Sequence, residues 1–365
     1  MIKTRILVDC HVFDSSFQGT TTYLKGIYTE MLKQTNIEFY FATHDVRNLI
    51  KIFGKHQNVT YLQYKTNNKY FRLLVEIPTL IKYYKIDIAH FQYIVPPIKF
   101  CKYITTVHDV LFLDYPYYFP FAYKLKNNFL FRYSAKISEL VLTVSEFSKE
   151  RIEYHFKIKN VIVTPNAVDK VYYQNYPKLE VINRIKTNYR IDNYFLYVSR
   201  LEPRKNHLTL LKVFVENKYY TNYNLVFIGA DSIVDKYYKN YLAKLPTEIK
   251  NKIHHLKNIN FDNLLTFVRA ASLSIYPSVA EGFGIPPLES IAAQIPTICS
   301  NSTAMSDFKF MSKYLFDPLD TNDLKAKIDL AINKPYEISV EEMQNKYNWK
   351  STAQSFLSAI ETIMK

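Results

Sequence analysis

Glycine is scarce in this sequence: the 365 residues include 6 glycines, against about 25 expected from average usage of about 7%. No G-x-G-x-x-G segment follows a predicted strand, which argues against the usual Rossmann site for a nicotinamide or flavin cofactor. No G-x-x-x-x-G-K-[ST] segment is present either, so a P-loop is excluded. A collagen-like or glycine-rich disordered chain is excluded as well.

Cysteine is also sparse, and Cys10, Cys101 and Cys299 stand far apart. Without a C-x-x-C pair, thiol–disulfide chemistry or a cysteine zinc site is not expected, and a reducing compartment fits. No stretch reaches the ~18 apolar residues needed to span a bilayer. The apolar run at the N-terminus is too short for a signal peptide and is interrupted by Asp9. The sequence thus predicts a cytoplasmic protein.

What the chain does contain is enough apolar material for two domains of roughly 150 residues each. Apolar residues make up 48% of the sequence and charged residues 22%, and the formal net charge is +14. A basic excess is compatible with nucleic acid, an anionic membrane or an anionic ligand, and equally with solubility alone.

Short apolar runs alternate with amphipathic stretches in both halves, which predicts parallel sheets built from βαβ units. The predicted strands are Arg5–Asp9, Glu38–Ala42, Val59–Gln63, Ile86–His90, Tyr103–Val107, Val141–Val144, Val161–Thr164, Tyr194–Ser199, Asn224–Ile228, Ile253–Leu256, Leu273–Tyr276 and Thr297–Ser300. The polar stretch Tyr172–Asp192 has no strand pattern and is interpreted as the connection between two α/β halves. Two doubly wound domains facing each other create a cleft at the carboxyl ends of their strands, where ligands usually bind.

The strongest chemical signal is YPSVAEGFGIPPLES over residues 276–290, which follows a predicted strand and opens a predicted helix. Gly282 and Gly284 let the backbone approach a ligand closely. The helix start beyond them offers free N–H groups and partial positive charge, the ingredients of a phosphate site. Glu281 in the loop and Glu289 in the helix are candidate acceptors for sugar hydroxyls.

A second signal is VSRLEPRKNH over residues 198–207, which follows the first predicted strand of the second half. Arg200 can hold phosphate oxygens in a bidentate fork, and Lys205 adds a point charge. Arg204 is the main alternative to Lys205 for this phosphate contact. A basic loop alone is usually a solvated surface, so the prediction of a phosphate site depends on its combination with the loop that contains Glu281.

These two segments resemble the retaining glycosyltransferases of family 4 (glycosyl transferases group 1), with Glu281-x7-Glu289 similar to the family signature. Other similar segments follow in family order: Thr106–Asp109 (TVHD), Val144–Ser148, Val163–Asp169, Leu225–Gly229, Pro296–Asn301 and Tyr347–Trp349. The segment around residues 107–116 looks like mannosyl- and rhamnosyltransferase relatives. The resemblance implies an α/β chain of the GT-B fold, with two Rossmann-like doubly wound domains facing across a cleft.

The implied domains are an N-terminal acceptor-binding domain over residues 1–172 and a C-terminal nucleotide-sugar-binding domain over residues 190–345. A C-terminal helix at about 349–365 would pack back on the first domain. The main departures from the family pattern are lost glycines: Ala167, Ala230 and Gln294 stand where glycine is common.

The resemblance also implies residue roles. Arg200 and Lys205 would bind the donor diphosphate, Glu289 the ribose hydroxyls, and Glu281 the donor sugar, with His108 beside the transferred sugar. The implied catalytic residues are His108, Arg200, Lys205 and Glu281. The implied donor-binding residues are Gly19, Arg200, Lys205, Gly282, Phe283, Gly284, Ile285 and Glu289.

The implied function is transfer of a hexose, with mannose favoured, from a nucleotide-diphosphate sugar to a hydroxyl of a glycan or lipid-linked acceptor in surface polysaccharide biosynthesis. GDP-mannose is the favoured donor, and UDP- or dTDP-sugars are the alternatives. No cofactor is expected, and no metal site, since no D-x-D motif stands at a strand end. One alternative is a non-catalytic sugar-nucleotide or glycan-binding protein on the same scaffold, and a remote one is a nucleic-acid binder.

The stretch 115–133 is aromatic and basic, and three interpretations stay open. It forms a core helix with a basic outer face, it lies at an anionic membrane surface, or it stacks single-stranded nucleic acid. The second interpretation would make the protein peripheral to the inner face of the membrane, next to a lipid-linked acceptor.

Overall fold

The computed structural model describes residues 3–14 and 19–364. The chain divides into two compact units, Met1–Ala167 with Tyr347–Lys365, and Val168–Lys346, which we call the first and second domains. Among the described residues, no helix is long and apolar enough to cross a membrane.

Each domain is built on one parallel sheet. The first-domain strands are β1 (Thr4–Asp9), β2 (Ile37–Thr43), β3 (Val59–Gln63), β4 (Ile88–Gln92), β5 (Lys102–Thr106), β6 (Leu140–Thr143) and β7 (Ile162–Val163). The second-domain strands are β8 (Tyr194–Val198), β9 (Asn224–Ile228), β10 (Ile253–Leu256), β11 (Leu273–Tyr276), β12 (Thr297–Ser300) and β13 (Leu315–Phe316). Their orders are β3-β2-β1-β4-β5-β6-β7 and β10-β9-β8-β11-β12-β13. Both orders reverse beside the first strand of the domain, which is the doubly wound pattern and confirms the predicted fold class.

Helices connect these strands. In the first domain they are α1 (Gly19–Met31), α2 (Val46–Phe53), α3 (Lys69–Phe71), α4 (Ile77–Tyr83), α5 (Leu111–Asp114), α6 (Phe121–Ile137), α7 (Glu146–Phe156) and the C-terminal α16 (Trp349–Met364). In the second domain they are α8 (Lys178–Tyr189), α9 (His207–Glu216), α10 (Lys236–Lys244), α11 (Thr247–Lys250), α12 (Phe261–Ala270), α13 (Ile285–Ala292), α14 (Thr321–Asn333) and α15 (Val340–Lys346). A π-helical stretch, Arg72–Glu76, joins α3 to α4.

The central strands are buried on both faces, as expected for parallel sheets covered by helices. In β1, Ile6, Leu7 and Val8 are fully buried, and Ile6 pairs with Phe39 on one side and Ile88 on the other. Continuous apolar runs of this kind are what made the strands visible in the sequence.

The structure also corrects several sequence expectations. The strand predicted at Ile86–His90 runs two residues later, as β4. The stretch Tyr172–Asp192, interpreted as a connection, contains the twelve-residue helix α8, which packs against α12 within the second domain. β13 was not predicted, because Leu315–Phe316 is followed at once by Asp317 and Pro318 and so forms no longer strand-like run.

The C-terminal helix α16 packs on α1 within the first domain. A Cβ atom added to Gly26 of α1 would lie 2.1 Å from the Trp349 ring, so only glycine admits the indole there. Further along α16, the ring of Phe356 lies 5.1 Å from that of His90 and 6.3 Å from that of Tyr28.

Candidate active site

The carboxylate of Glu281 lies between two cations. Lys205 Nζ contacts Glu281 Oε1, and Arg204 Nη1 lies 3.3 Å from Oε2. Arg204 is held in turn by the Ala280 carbonyl at 2.7 Å and by Glu202 Oε1 at 2.6 Å. Burial would raise the pKa of Glu281, but the charges of Lys205 and Arg204 lower it to about 2. Glu281 is therefore ionised at neutral pH.

Lys205 and Arg204 lie in the loop after β8, which is held next to the loop that contains Glu281. The hydroxyl of Tyr197 donates to the carbonyl of Lys205 at 2.8 Å. Asn206 takes a left-handed backbone conformation, φ 59°, and its side-chain amide donates to the carbonyls of Pro277 at 3.1 Å and Pro318 at 2.8 Å. One asparagine thus ties together the loops that follow β8, β11 and β13.

Burial and the ion pair with Glu281 shift the pKa of Lys205 in opposite directions. Burial lowers the pKa of Lys205, and the Glu281 carboxylate raises it, with the net shift downward. The ammonium is thus a poorly hydrated charge in contact with the Glu281 carboxylate, and a further anion nearby would stabilise it.

Arg200 reaches this cluster through Glu202. Its Nη2 lies 3.7 Å from Glu202 Oε1, and the Arg200 side chain is 56% exposed, whereas that of Glu202 is buried. Since exposed ion pairs at this distance are weak, Arg200 has the freedom to turn toward another anion.

The segment 282–285 forms the entry to α13. Gly284 caps this helix with φ 103°, and an added Cβ would lie 2.9 Å from Met305 Cγ, so glycine is required on both counts. Phe283 is buried with its ring 5.9 Å from that of Phe308, so its side chain serves the core. Ile285 is the first residue of α13.

Glu289 lies on α13 beside two residues that come from another part of the domain. Its carboxylate is hydrogen-bonded to the side chain of Tyr172 and senses the charge of Asp169. Burial raises the pKa of Glu289 to about 7, with Asp169 adding to the rise and the Tyr172 hydrogen bond opposing it. This carboxyl therefore titrates near neutral pH, whereas Glu281 does not.

His108 lies in the first domain at the carboxyl edge of its sheet, and it is buried. Its Nε2 lies 2.7 Å from Gln92 Oε1. Because an amide oxygen only accepts, Nε2 carries the proton and Nδ1 does not. The ring of Tyr23 meets that of His108 edge-on at 5.1 Å. Burial lowers the pKa of His108 to about 3, so the imidazole is neutral.

Gly19 is the first residue of α1, and a Cβ added there would meet no atom within 4 Å in the described part of the chain. The preceding residues of the predicted glycine loop, Phe17 and Gln18, lie outside the described residues. Of the predicted residues, the structure brings Lys205 and Glu281 into direct contact, with Arg200 nearby through Glu202.

Sequence reasoning underrated Arg204, which binds Glu281 as Lys205 does, and missed Gln92 and Tyr172 as partners of His108 and Glu289. Position 169 was within a segment that resembles the family, so Asp169 carried a usable signal. Gln92 carried none, since it meets His108 only through the pairing of β4 with β5.

Comparison with known proteins gives two family models that match successive parts of the chain. Residues 18–171 match the family described as Glycosyltransferase Family 4, and residues 180–351 match Glycosyl transferases group 1.

Two similar relatives carry related names. The O-antigen chain mannosyltransferase RfbU of Salmonella typhimurium is 30% identical over 238 residues, which cover 64% of this chain and 62% of that protein. The O-antigen chain mannosyltransferase B of Escherichia coli is 27% identical over 256 residues, covering 67% of this chain and 65% of that protein. The matched regions thus span less than two thirds of either relative.

Solved glycosyltransferase structures are similar over nearly the whole chain. A glycosyltransferase from Rickettsia africae superposes with a TM-score of 0.74 at 18% identity, covering 100% of both chains. Anabaena Alr3699/HepE, solved in complex with UDP and glucose, has a TM-score of 0.73 at 14% identity, covering 98% of this chain and 100% of that one. At these identities the likeness establishes the shared fold, GT-B.

Proposed function

The chain belongs to the family 4 and group 1 glycosyltransferases, and from that premise we propose that it is a retaining, metal-independent hexosyltransferase. It would move a hexose from a nucleotide-diphosphate sugar to a hydroxyl of a glycan or lipid-linked acceptor. The observation that carries the proposal is the ionised Glu281 held between Lys205 and Arg204, next to the start of α13.

In this proposal the second domain binds the donor. Lys205, Arg200 and the amino end of α13, entered through Gly282, Phe283, Gly284 and Ile285, surround the diphosphate. When a phosphate oxygen replaces Glu281 as the partner of Lys205, Arg204 still holds Glu281 in place, because it has its own hydrogen bond to that carboxylate. Glu281 then accepts hydrogen bonds from hydroxyls of the donor sugar, and Glu289 accepts hydrogen bonds from the ribose hydroxyls.

The reaction breaks the bond between the anomeric carbon and the diphosphate oxygen and forms a bond from that carbon to the acceptor oxygen. Negative charge grows on the leaving diphosphate, where the fixed cations stabilise it more in the transition state than in the ground state. The acceptor proton passes to the leaving phosphate oxygen, and attack from the same face retains the anomeric configuration. The proposed role of His108, neutral and fixed by Gln92, is to hold a hydroxyl of the transferred sugar, and that of Gly19 is to face the diphosphate.

Mannose is the proposed sugar and GDP-mannose the proposed donor. Support comes from the two O-antigen chain mannosyltransferases to which the chain is similar, and from the stretch 107–116. The proposed setting is surface polysaccharide assembly at the inner face of a membrane, with the first domain binding the acceptor.

The central test is Lys205→Ala. We expect turnover to fall about a hundredfold or more, as when one preorganised transition-state donor is removed from other enzymes. Lys244→Ala is the matched control, since Lys244 is an exposed residue in the last turn of α10. An unchanged rate in Lys205→Ala, with the control also unchanged, would remove Lys205 from the mechanism.

The donor is tested by thermal denaturation with GDP-, UDP-, dTDP- and ADP-sugars. A ligand that binds the folded chain raises its melting temperature, so stabilisation by GDP-mannose alone would support the proposed donor. Slow hydrolysis of the stabilising donor without acceptor separates an enzyme from a non-catalytic binding protein on the same scaffold.

A further inference from the structure

Helix α6 presents an apolar stripe to solvent. Phe121, Leu125 and Phe129 follow one another at four-residue steps and so share one face of the helix. Their exposed fractions are 75%, 65% and 70%. The buried residues of α6 are Asn127, Phe131, Ser134 and Ala135. The second half of α6 packs in the core through Phe131 and Ala135, whereas the stripe over residues 121–129 lies on the surface.

The segment before α4 extends this apolar surface. Tyr70, Phe71, Leu74 and Val75 are all exposed. Lys126 of α6 links the two elements, with its Nζ 3.4 Å from the Tyr70 hydroxyl and 5.8 Å from the centre of that ring. We call the combined surface the α3–α6 face, defined by the exposed apolar residues of segments 70–75 and 121–129.

Exposed apolar side chains are concentrated in this part of the molecule. Of the twenty large apolar side chains exposed among the described residues, eight belong to the α3–α6 face. Single exposed apolar residues are ordinary, but a cluster on one surface marks a binding site for a partner or a membrane.

The charge of the α3–α6 face selects between those partners. Helix α6 contains four basic residues and no acidic one. Glu76 is the only acidic residue in the sequence from 69 to 83, and it is buried, where it accepts from the backbone N–H of Lys65 at 2.6 Å. These two segments therefore combine exposed apolar side chains with an excess of positive charge. Pairing two copies of the α3–α6 face would oppose like charges, which disfavours self-association.

We propose that the α3–α6 face docks on an anionic lipid bilayer. Phe121, Leu125 and Phe129 would enter the boundary between headgroups and acyl chains, while Lys124 and Lys126 meet lipid phosphates, as in an amphipathic helix that lies in the interface. The face deepens the proposed function, since it would hold the first domain where a lipid-linked acceptor is presented.

The test is co-sedimentation of the full chain with vesicles, without donor or acceptor. Wild type should bind vesicles of phosphatidylcholine with phosphatidylglycerol and bind pure phosphatidylcholine far less. Leu125→Glu should lose most of that binding. Leu319→Glu is the matched control, because Leu319 is a similarly exposed leucine, 76%, in the second domain. Lys124→Gln with Lys126→Gln should weaken binding on the order of tenfold.

Transfer to a water-soluble acceptor should be the same in Leu125→Glu and wild type, so loss of docking and loss of the proposed activity are distinguishable. The proposal is overturned if wild type ignores anionic vesicles, or if Leu125→Glu and Leu319→Glu bind equally. It is also overturned if gel filtration shows a dimer that Leu125→Glu abolishes, since the occupant would then be a second copy of the chain.

Discussion

At the scale of single residues, the two glutamates of the candidate site differ in protonation near neutral pH. Glu281 has a pKa of about 2 and His108 one of about 3, whereas Glu289 has one of about 7. Of these three predicted site residues, only Glu289 changes its charge between pH 6 and 8. Among these three, a pH dependence of donor binding in that range therefore points to Glu289, and a Glu289→Gln variant tests it.

We predict that the KM for the donor falls as the pH rises through about 7, because ionised Glu289 is the better acceptor for ribose hydroxyls. In Glu289→Gln the KM should be higher and nearly flat over the same range. The measurement is initial rate against donor concentration at several pH values. An equal pH dependence in wild type and Glu289→Gln would contradict the assignment.

The same carboxyl gives a stability prediction of definite sign. Its pKa in the folded chain, about 7, exceeds the ordinary 4.5, so between these values the folded state holds a proton that the unfolded state has released. The contribution of Glu289 to the free energy of unfolding is therefore largest below about pH 4.5, and it falls as the pH rises to about 7. Buried histidines such as His90 and His207, whose pKa is lowered to about 3, shift stability the other way over this range. The decline is therefore measured as the difference in free energy of unfolding between wild type and Glu289→Gln at each pH.

At the scale of elements, the scarcity of glycine has a structural counterpart. Eleven described residues other than glycine have positive φ, among them Gln294, φ 59°, after α13, and Arg190, φ 58°, after α8. Gln294 stands where the resembling family has glycine. The chain thus makes left-handed helix ends with ordinary residues, at a strain of about 1–2 kcal/mol each.

Gln294→Gly should therefore raise the free energy of unfolding by about 0.5–1 kcal/mol, because the relieved strain exceeds the entropy that glycine adds to the unfolded chain. Lys334→Gly is the control, since Lys334 ends α14 with φ −125° and has no such strain to relieve. Denaturant titration of both variants measures the difference. A loss of stability in Gln294→Gly equal to that in the control would contradict the argument.

The elements also show what the sequence could and could not predict. Buried strands such as Leu273–Tyr276 were predicted with their observed bounds, because a parallel strand covered on both faces is a continuous apolar run. The burial of helix α6 could not be predicted from its pattern, since Phe121, Leu125 and Phe129 are exposed while its buried residues include Asn127 and Ser134. The contact of Lys205 with Glu281 was beyond reach, because it joins side chains 76 positions apart.

At the scale of the whole molecule, the chain crosses between domains twice, after Ala167 and before Tyr347. The second crossing ends in α16, whose first residue, Trp349, rests on Gly26 of α1. Gly26→Leu should displace the indole, since even a Cβ would overlap it, and should lower the melting temperature of the first domain. Gly19→Leu is the control, because a Cβ there meets no atom within 4 Å among the residues that the structure describes. Equal melting temperatures in the two variants would contradict this packing.

Trp349 is also the only tryptophan among the 365 residues. Tryptophan fluorescence of the intact protein accordingly reports on one place, the packing of α16 on α1, and the second domain contributes no tryptophan signal. Circular dichroism in the far ultraviolet sees the helices of both domains. If the two signals change together in denaturant, the domains unfold as one cooperative unit, and if they separate, each domain has its own stability. A glycine without a side chain and a single indole thus give the protein a built-in probe of its first domain.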